Sequence, residues 1–276
     1  MASQLRRQWM RGLGDLRYVP TPKHVRARVG GRTVVDSRRA VLVWEPKRVV
    51  PSYAVPDSDI EAALAPAPAA EVKQRPERMG SDSPAVLTPS TPFGAHTCDG
   101  EVLSIKVDGA ELAGAGFRPA DPDLNGYVVL DFAAFDEWLE EAERIFGHPR
   151  DPFKRIDVRR SASRLQVEVD GVQLADSTSA RLLFETWLPP RFYLPREDVR
   201  MELLKPSATT TTCAYKGHAS YWSVEVGGRV HDDLAWTYEQ PLSDGTEVAG
   251  YVTFYDERVD VIVDGERRAR PVTPWS

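Results

Sequence analysis

Hydrophobic and polar residues alternate along several short stretches of the chain. The segment RLQVEVDGVQLADS (164–177) alternates on both sides of its Asp-Gly pair, and Asp-Gly readily adopts the positive φ angles of a tight hairpin turn. SVEVGGRVHDD (223–233) repeats this arrangement around Gly-Gly, and GYVTFYDERVDVIVDG (250–265) adds two more alternating stretches. Because alternation with a period of two is typical of strands with one buried face, the pattern predicts a mainly β protein.

Two stretches have helical spacing instead. In residues 135–148 apolar side chains recur every three to four positions, at Trp138, Leu139, Ala142 and Phe146. Gly147 is a typical helix end, so this stretch predicts one helix. In residues 196–207 a second, short helix would end at Pro206 and share one face among Val199, Leu203 and Leu204. Residues 57–66 end in the same way, at Pro66.

The chain contains the same pattern twice. RVGGRTVVDSRRAVLVWEP (28–46) matches EVDGVQLADSTSARLLFET (168–186), and after a slip of one residue VPSYAVPDSDI (50–60) matches PPRFYLPREDV (189–199). Further along, LSIKVDG, from Leu103, matches WSVEVGG, from Trp222. Blocks that match in the same order indicate a duplicated domain, because this period is far longer than that of a solenoid repeat.

The repeat defines the predicted domains. They are an N-terminal arm (1–20), a first copy (21–147), a linker (148–154), a second copy (155–270) and a tail (271–276). We expect the arm to dock on the folded body, because its apolar residues Leu5, Trp9, Leu13 and Leu16 have near-helical spacing.

One segment of the first copy has no counterpart in the second. Residues 65–92 are rich in proline, alanine and small polar residues. Such a composition buries too little surface to offset its ordering entropy. We therefore expect a mobile loop that is dispensable for folding.

Composition narrows the possible partners. The chain has 35 Lys and Arg and 41 Asp and Glu, a formal charge of −6, which argues against general nucleic-acid binding. No apolar run is long enough to cross a bilayer, and the first residues lack the apolar core of a secretory signal. The two cysteines form neither a disulfide framework nor a CxxC pair. We expect a reduced, cytoplasmic setting without membrane or nucleic-acid partners.

The second copy resembles a bacterial family. Its segments ADSTSARLLFET, PPRFYLPREDVRMELL, TTTTCAYKGHASYWSVEVGG, LAWTYEQPL and AGYVTFYDERVDV are similar to the domain of unknown function 427, which is also labelled nucleotidyltransferase-like. The pair of copies, with the linker GHPRDPFKRIDV, resembles tandem actinobacterial members. The resemblance implies two tandem β-tent-like domains, each with two antiparallel sheets meeting at an angle. Many β-tent relatives bind zinc through CxxC pairs, which this sequence lacks, so we predict no metal and no other cofactor.

The family's characteristic motif lies in the second copy. It maps to Cys213, Tyr215, Lys216, Gly217, Tyr221 and Trp222, with Pro195, Arg196, Glu197 and Asp198 upstream and Trp236 and Tyr238 downstream. The first copy has CDGE, from Cys98, in place of the YKG segment, and Leu103 in place of Trp222. We therefore predict one site per chain, in the second copy, with the first copy as structural support.

Two kinds of chemistry involve the cysteines. Cys213 could act as a nucleophile, with His218 as its base and Asp198 as the acid that orients the base. Alternatively, Cys213 and His218 could combine with His96 and Cys98 to bind zinc, because thiolate and imidazole are zinc ligands. An unpaired cysteine is more often a small buried hydrophobe. These catalytic roles therefore stay alternatives to simple burial.

The charged and aromatic residues favour binding. Lys216 and Arg196 could face an anion, although the GxxxxGK[ST] phosphate loop is absent. Strand alternation places Tyr221 and Trp222 on opposite faces, whereas Trp236 and Tyr238 share one face. Aromatic walls with few polar anchors are typical of small-molecule pockets, and the alternative is that these rings fill a core. Glu185, matched by Glu45, is interpreted as a buried structural acid.

We predict a binding module for a small-molecule or anionic ligand. The predicted ligand-binding residues are Arg196, Tyr215, Lys216, Gly217, His218, Tyr221, Trp222, Trp236 and Tyr238. The alternative is an enzyme that acts on a nucleotide or phosphorylated substrate. However, the candidate site of the second copy has no pair of aspartates of the DxD type that could hold magnesium. The sequence does not specify an oligomeric state.

Overall fold

The protein is mainly β, as the alternation predicts. The computed structural model describes residues 2–68, 72, 76–78, 84–273 and 275. The chain divides into two compact units: unit 1 comprises residues 1–77 and 83–151, and unit 2 comprises residues 78–82 and 152–276. Among the described residues, no helix is long and apolar enough to cross a membrane.

Unit 1 contains two antiparallel sheets. In spatial order, the large sheet consists of β1 (Arg17–Pro20), β4 (Val41–Trp44), β5 (Ser52–Pro56), β11 (Tyr127–Leu130), β10 (Ala110–Pro119), β9 (Gly100–Val107) and β6 (Ala63–Pro66). The small sheet consists of β13 (Glu143–Ile145), β12 (Glu137–Glu140), β2 (Val25–Val29) and β3 (Arg32–Ser37). Two short strands, β7 (Glu77–Arg78) and β8 (Ala85–Val86), form a separate pair.

Unit 2 also contains two antiparallel sheets. Its large sheet consists of β14 (Ile156–Arg160), β17 (Arg181–Glu185), β18 (Arg191–Leu194), β22 (Val252–Phe254), β21 (Arg229–Thr237), β20 (Gly217–Val226) and β19 (Leu204–Cys213). Its small sheet consists of β16 (Val172–Ser177), β15 (Leu165–Val169), β23 (Asp260–Val263) and β24 (Glu266–Arg267).

The two units repeat one strand order. Each strand of the large sheet in unit 1 has a counterpart at the same place in unit 2, and so do the small sheets. An individual hydrogen bond is also repeated: the Ser37 hydroxyl donates to Asp59 at 2.7 Å in unit 1, and the Ser177 hydroxyl donates to Asp198 at 2.6 Å in unit 2. The duplication predicted from the matched sequence blocks is therefore confirmed.

Strand alternation gives each large sheet two packed faces. In β18 of unit 2, Phe192 and Leu194 enter the main core, which the large sheet shares with the small sheet. Tyr193, between them, points to the opposite face. The cluster on that opposite face is here called the outer cluster. In unit 2 its buried members are Val158, Leu183, Tyr193, Ala219, Tyr221, Trp236, Tyr238 and Val248; in unit 1 they are Val41, Val43, Ala54, Phe117, Leu124 and Val129.

The helix predicted over residues 135–148 is wrong. This stretch forms the hairpin of β12 and β13, with a turn at Glu141, whose φ is 50°. Trp138 is 2% exposed and stacks on Tyr53 and Phe132, each at a ring-centroid distance of 5.2 Å. Pairing of β12 with β2 places this indole in the core, and that packing outweighs the local helical spacing.

The short helix predicted over residues 196–207 is also wrong. The chain forms two 3-10 turns, Arg196–Asp198 and Met201–Leu203, and then enters β19. Between the turns Val199 forms a backbone bridge to Ala175 of β16, so it is extended. Pro206 lies within β19, where it is tolerated because β19 is an edge strand. The remaining 3-10 turns are Asp57–Asp59, Pro122–Leu124, Phe132–Ala134 and Ser243–Val248.

The N-terminal arm is partly integrated into unit 1. Its helical spacing forms α1 (Leu5–Gly12), the one α-helix in the described part of the chain. Leu5 of this helix is 68% exposed. The next segment is β1, which pairs with β4 at the edge of the large sheet. Docking of the arm is therefore achieved by the strand.

The mobile loop predicted over residues 65–92 is wrong at both ends of the segment. At its start β6 pairs with β9. Near its end Leu87 is fully buried, and its backbone N–H donates to the Lys47 carbonyl. The Arg48 guanidinium donates to the Pro92 carbonyl at 2.9 Å. The central part of this prediction, at residues 69–71, 73–75 and 79–83, lies outside the described residues.

Candidate functional site

A buried carboxylate shared by two lysines lies at the end of β17. The Glu185 side chain is 7% exposed and accepts hydrogen bonds from Lys216 Nζ and, at 2.8 Å, from Lys154 Nζ. Burial alone would raise the pKa of Glu185, but the two ammonium groups outweigh it and lower the pKa to about 2. Burial would likewise lower the pKa of Lys216, and Glu185 raises it above its usual value. Glu185 and Lys216 are thus both charged near neutral pH.

Lys216 is buried because the turn that carries it is covered. Residues 214–216 connect β19 to β20, and all three are buried. The Leu242 N–H donates to the Lys216 carbonyl at 3.0 Å, and the 3-10 turn Ser243–Val248 follows directly. Gly217 has a φ of 91°, and a Cβ there would lie 3.3 Å from Leu242 Cγ. Glycine therefore suits this position by conformation and by space.

Aromatic rings and hydroxyl groups line the outer face of the same sheet. Tyr221 and Trp236 lie side by side on β20 and β21, and the Trp236 ring is 4.5 Å from the Tyr255 ring between centroids. Thr211 Oγ1 and the Tyr221 hydroxyl are 2.9 Å apart, and the Tyr221 and Tyr255 hydroxyls are 3.5 Å apart. Burial raises the pKa of Tyr255 well above its usual value. The face thus offers neutral hydroxyls that can donate and accept.

A second buried ion pair borders the same rings. Arg191 donates to both carboxylate oxygens of Glu257, at 2.7 and 2.6 Å, and the Thr273 hydroxyl donates to Glu257 at 2.5 Å. The guanidinium lies 5.7 Å from the Trp236 ring centroid and 5.9 Å from that of Tyr255. Burial would lower the pKa of Arg191, but Glu257 raises it. The bidentate geometry fixes both side chains.

The structure brings six of the predicted ligand-binding residues together. Their location is the outer face of the large sheet of unit 2 or the turn at its edge: Tyr215, Lys216, Gly217, Tyr221, Trp236 and Tyr238. Lys154 Nζ lies 5.3 Å from the Tyr215 ring centroid, which links the turn to the lysine pair. A role of these residues in ligand binding stays a prediction.

The other three predicted residues lie on the opposite side of the sheet. Trp222 packs against the main core of unit 2, as alternation with Tyr221 predicts. The Arg196 guanidinium lies 5.4 Å from the Trp222 ring centroid and forms an ion pair with Glu239. Following the alternation along β20, His218 shares the side of Trp222, is exposed and contacts Thr212 Oγ1 at 2.9 Å.

The three catalytic candidates are separated. Cys213 pairs with Gly217 and His218 pairs with Thr212, so the thiol and the imidazole project from opposite faces of the sheet. Cys213 packs against the outer cluster of unit 2. Asp198 accepts the Ser177 hydroxyl, a bond that unit 1 repeats. In this arrangement Asp198 supports the fold and does not orient His218.

The zinc alternative has no geometric support within the described residues. There, no group of three or more His, Cys, Asp or Glu side chains is placed to hold a metal ion. In unit 1, His96 Nδ1 lies 3.1 Å from the Glu45 carboxylate, and Cys98 Sγ lies 3.9 Å from it.

The corresponding face of unit 1 differs in its aromatic residues and in the partners of its buried carboxylate: Glu45 pairs with Arg48 and His96. Strand pairing aligns Tyr193 with Ala54, and Tyr221 with Val102. Trp236 aligns with Phe117 in the same ladders. The buried carboxylate is kept, because Glu45 in unit 1 accepts the Thr97 N–H at 2.8 Å. The lysines and the tyrosine hydroxyls are therefore additions specific to unit 2.

Sequence reasoning missed four polar groups of this face. Lys154 lies in the predicted linker, and Arg191, Tyr255 and Glu257 lie at strand ends outside the motif. A signal was available for Arg191, because it replaces the Ser52 of the first copy in an otherwise apolar strand. Lys154 had no such signal, since its partner Glu185 is distant in sequence.

The family model for a domain of unknown function (DUF427) matches residues 17–74 and 157–265, together more than half of the chain. The chain belongs to this DUF427 family. The second matched segment spans nearly all of unit 2, whereas the first spans only β1 to β6 and the residues just after them. A search of curated proteins gave no match.

Proposed function

We propose that unit 2 is a binding module for a small organic anion with a flat apolar part, and that its site is the outer face of the large sheet. The observation that carries this proposal is the internal comparison. Two units with one strand order differ on this face: apolar residues at three positions of unit 1 are replaced by two tyrosines and a tryptophan in unit 2. The buried carboxylate, which pairs with Arg48 and His96 in unit 1, is shared by two lysines in unit 2.

The fold itself does not require the particular tyrosine, tryptophan and lysine side chains of this face. Buried charges lose hydration, and a buried ion pair contributes little net stability compared with apolar packing. Unit 1 forms the same sheet with Ala54 and Phe117 among its outer residues and pairs its buried carboxylate, Glu45, with Arg48 and His96 instead. Because ionised groups with shifted pKa values concentrate at functional sites, their retention in unit 2 supports a binding role.

The charge balance favours an anion. Lys154 and Lys216 are two cations that share one carboxylate, Glu185, which leaves one excess positive charge. The Lys154 side chain is 19% exposed and Lys216 only 9%, so Lys154 is the ammonium that a ligand can reach.

The proposed partner is a small molecule and not a nucleic acid. The chain has more acidic than basic side chains, and phosphate-backbone binding needs an extended basic surface. The alternative, an enzyme that acts on a nucleotide, is favoured by the name NTP_transf_9 that the family model carries.

The test is a thermal-shift screen of the full chain, followed by calorimetry. Probes are ATP, AMP, phenyl phosphate and benzoate, each with and without magnesium. We expect an aromatic anion to bind without magnesium, and Lys154→Met to weaken it at least tenfold, because a lost charged partner is worth about 1.5–3 kcal/mol. Lys106→Met is the matched control, since Lys106 is an exposed lysine of β9 in unit 1.

Two outcomes contradict the binding proposal. One is that no anion binds the wild-type chain; the other is that Lys154→Met and Lys106→Met bind the anion equally. Stabilisation by a nucleotide only in the presence of magnesium would favour the enzyme.

A further inference from the structure

Most sheet edges in the described part of the chain are protected against pairing with another strand. An edge strand presents unpaired backbone N–H and C=O groups, so an unprotected edge is a template for a further strand. In unit 1, β1 and β6 have four residues each and end in proline, and β13 has only three residues. The remaining edge strand of that unit, β3, is covered, because Ile60 forms a backbone bridge to Val35.

Three edges of unit 2 are protected in similar ways. β14 carries the charged residues Asp157, Arg159 and Arg160, and charged side chains oppose the approach of a further strand. β24 has only two residues. β16 is covered, because Val199 forms a backbone bridge to Ala175.

The fourth edge of unit 2, β19, is protected over its first half only. This strand is ten residues long and pairs with β20 on one side, and within the described ranges no strand pairs with its other side. Lys205, Pro206 and a bulge after Pro206 protect the first half. The second half, residues 209–213, has the sequence TTTTC, with neither a charge nor a proline. Residues 210–212 are exposed, so this half is an open edge.

The open half of β19 is complementary to itself. Its pairing with β20 is regular from Thr210 to Cys213, so Thr210 and Thr212 lie on one face of the sheet and Thr211 on the other. In an antiparallel pairing centred on Thr211, Thr210 of one copy lies opposite Thr212 of a second copy, and the two Thr211 residues lie opposite each other. Threonine is enriched in strands, and Thr–Thr pairs across neighbouring strands are stabilising.

We propose that β19 pairs antiparallel with β19 of a second copy of this chain. The large sheets of the two copies of unit 2 then form one continuous sheet, with a two-fold axis at Thr211. Such an interface uses the same surface on both partners, so the assembly is complete with two chains. The ladder spans only residues 209–213, and small interfaces are typical of weak complexes. The population of the dimer therefore depends on the protein concentration.

Sedimentation equilibrium of the full chain tests for this dimer. We expect a reversible equilibrium between monomer and dimer over about 10 µM to 1 mM protein. A wild-type chain that stays monomeric throughout this range would overturn the proposal. Assembly into species larger than a dimer would also overturn it, because a two-fold interface closes with two chains.

A charged variant locates the interface. Thr210→Lys/Thr212→Lys places its lysines directly opposite each other in the proposed register, and like charges in opposed pairs are destabilising. We expect the dissociation constant of the dimer to rise at least tenfold. The matched control is Thr178→Lys/Ser179→Lys, which adds the same charge in the exposed bend between β16 and β17. A dissociation constant of the β19 variant equal to that of the control would refute the assignment to β19.

A charge exchange tests the pairing without relying on a loss of binding. Thr210→Glu/Thr212→Glu mixed with the lysine variant places each lysine opposite a glutamate, and opposite charges in such pairs are stabilising. We expect native mass spectrometry to show the mixed dimer at concentrations where each variant alone is monomeric. Two folded variants that form no mixed dimer would contradict the proposed pairing.

Circular dichroism checks that each double variant is folded. If one is not, the single substitution Thr210→Lys decides, because this side chain is exposed at the edge. We expect Thr210→Lys alone to weaken the dimer, since it places a charge on the open half of β19. A folded Thr210→Lys chain that dimerises like the wild type would count against the proposal.

Discussion

Single residues of unit 2 derive their properties from partners far away in sequence. Lys216 is a turn residue by its sequence, since glycine follows it. In the structure it is buried and bonded to Glu185, 31 positions away. Its ammonium group stays charged because the carboxylate outweighs the effect of burial on its pKa.

Removal of this ammonium should destabilise the protein. Lys216→Met leaves Glu185 with Lys154 alone, and breaking a buried ion pair typically costs about 3–5 kcal/mol. Urea denaturation measures the loss in the free energy of unfolding. The control is Lys205→Met, because Lys205 pairs with Glu225 on the surface with a side chain 68% exposed, and such pairs contribute about 0–1 kcal/mol. Similar losses in the two variants would contradict the importance of the buried pair.

Asp256 should make stability fall as pH rises. Its folded-state pKa is about 7, above the ordinary value of 3.8, because of burial. Between these values the folded state holds the proton more tightly than the unfolded state, so stability decreases with rising pH in this window. The charged groups that act on Asp256 are Arg191, Glu257 and Arg268. Arg191 and Arg268 lower the pKa and Glu257 raises it.

Asp256→Asn should remove this dependence. Between pH 4 and pH 8, we expect the unfolding free energy of the wild-type chain to fall by about a few kcal/mol relative to that of the variant. Urea denaturation of both proteins at pH 4, 6 and 8 measures the difference in unfolding free energy. Parallel pH profiles of the wild type and the variant would show that Asp256 does not titrate in this range.

At the scale of elements, the turn between β19 and β20 positions the lysine. Gly217 has a positive φ, and Leu242 lies close to the place of its missing Cβ. Gly109, in the turn between β9 and β10, has a similar φ of 84° but open space around it. A comparison of substitutions at these two glycines therefore distinguishes the effect of backbone strain from the effect of steric crowding.

Gly217→Ala should therefore be the more destabilising of two matched substitutions. Gly109→Ala introduces only an unfavourable φ, for which we expect a loss of about 1 kcal/mol. Gly217→Ala adds a contact with Leu242 that must relax, and we expect a loss of about 2–3 kcal/mol. Thermal unfolding of both variants measures the difference. If Gly217→Ala lowers the stability no more than Gly109→Ala does, the segment at Leu242 moves aside without a measurable loss of stability, which contradicts the prediction.

At the scale of the whole molecule, duplication has produced two units with one strand order and different surfaces. Unit 1 carries apolar side chains at positions of the outer face where unit 2 carries tyrosines and a tryptophan, and its buried carboxylate pairs with Arg48 and His96, whereas that of unit 2 pairs with two lysines. The family match is correspondingly fuller in unit 2. The binding site proposed on the outer face therefore belongs to unit 2.

Much of the fold could be predicted from the sequence. The Asp-Gly and Gly-Gly turns between alternating stretches predicted the hairpins of β15 with β16 and of β20 with β21, which the structure contains. Alternation also placed Tyr221 and Trp222 on opposite faces. These features are local, because the two-residue period of a strand is fixed by its own backbone.

Tertiary structure alone decided the rest. Residues 135–148 have helical spacing, yet they form a hairpin because Trp138 fills the core between strands that meet only in the fold. Lys154 and Lys216 converge on Glu185 because the strand order brings their segments together. The spacing of hydrophobic residues in a segment indicates which of its own side chains can share one face. Which charge or ring they meet depends on the topology that brings distant segments together.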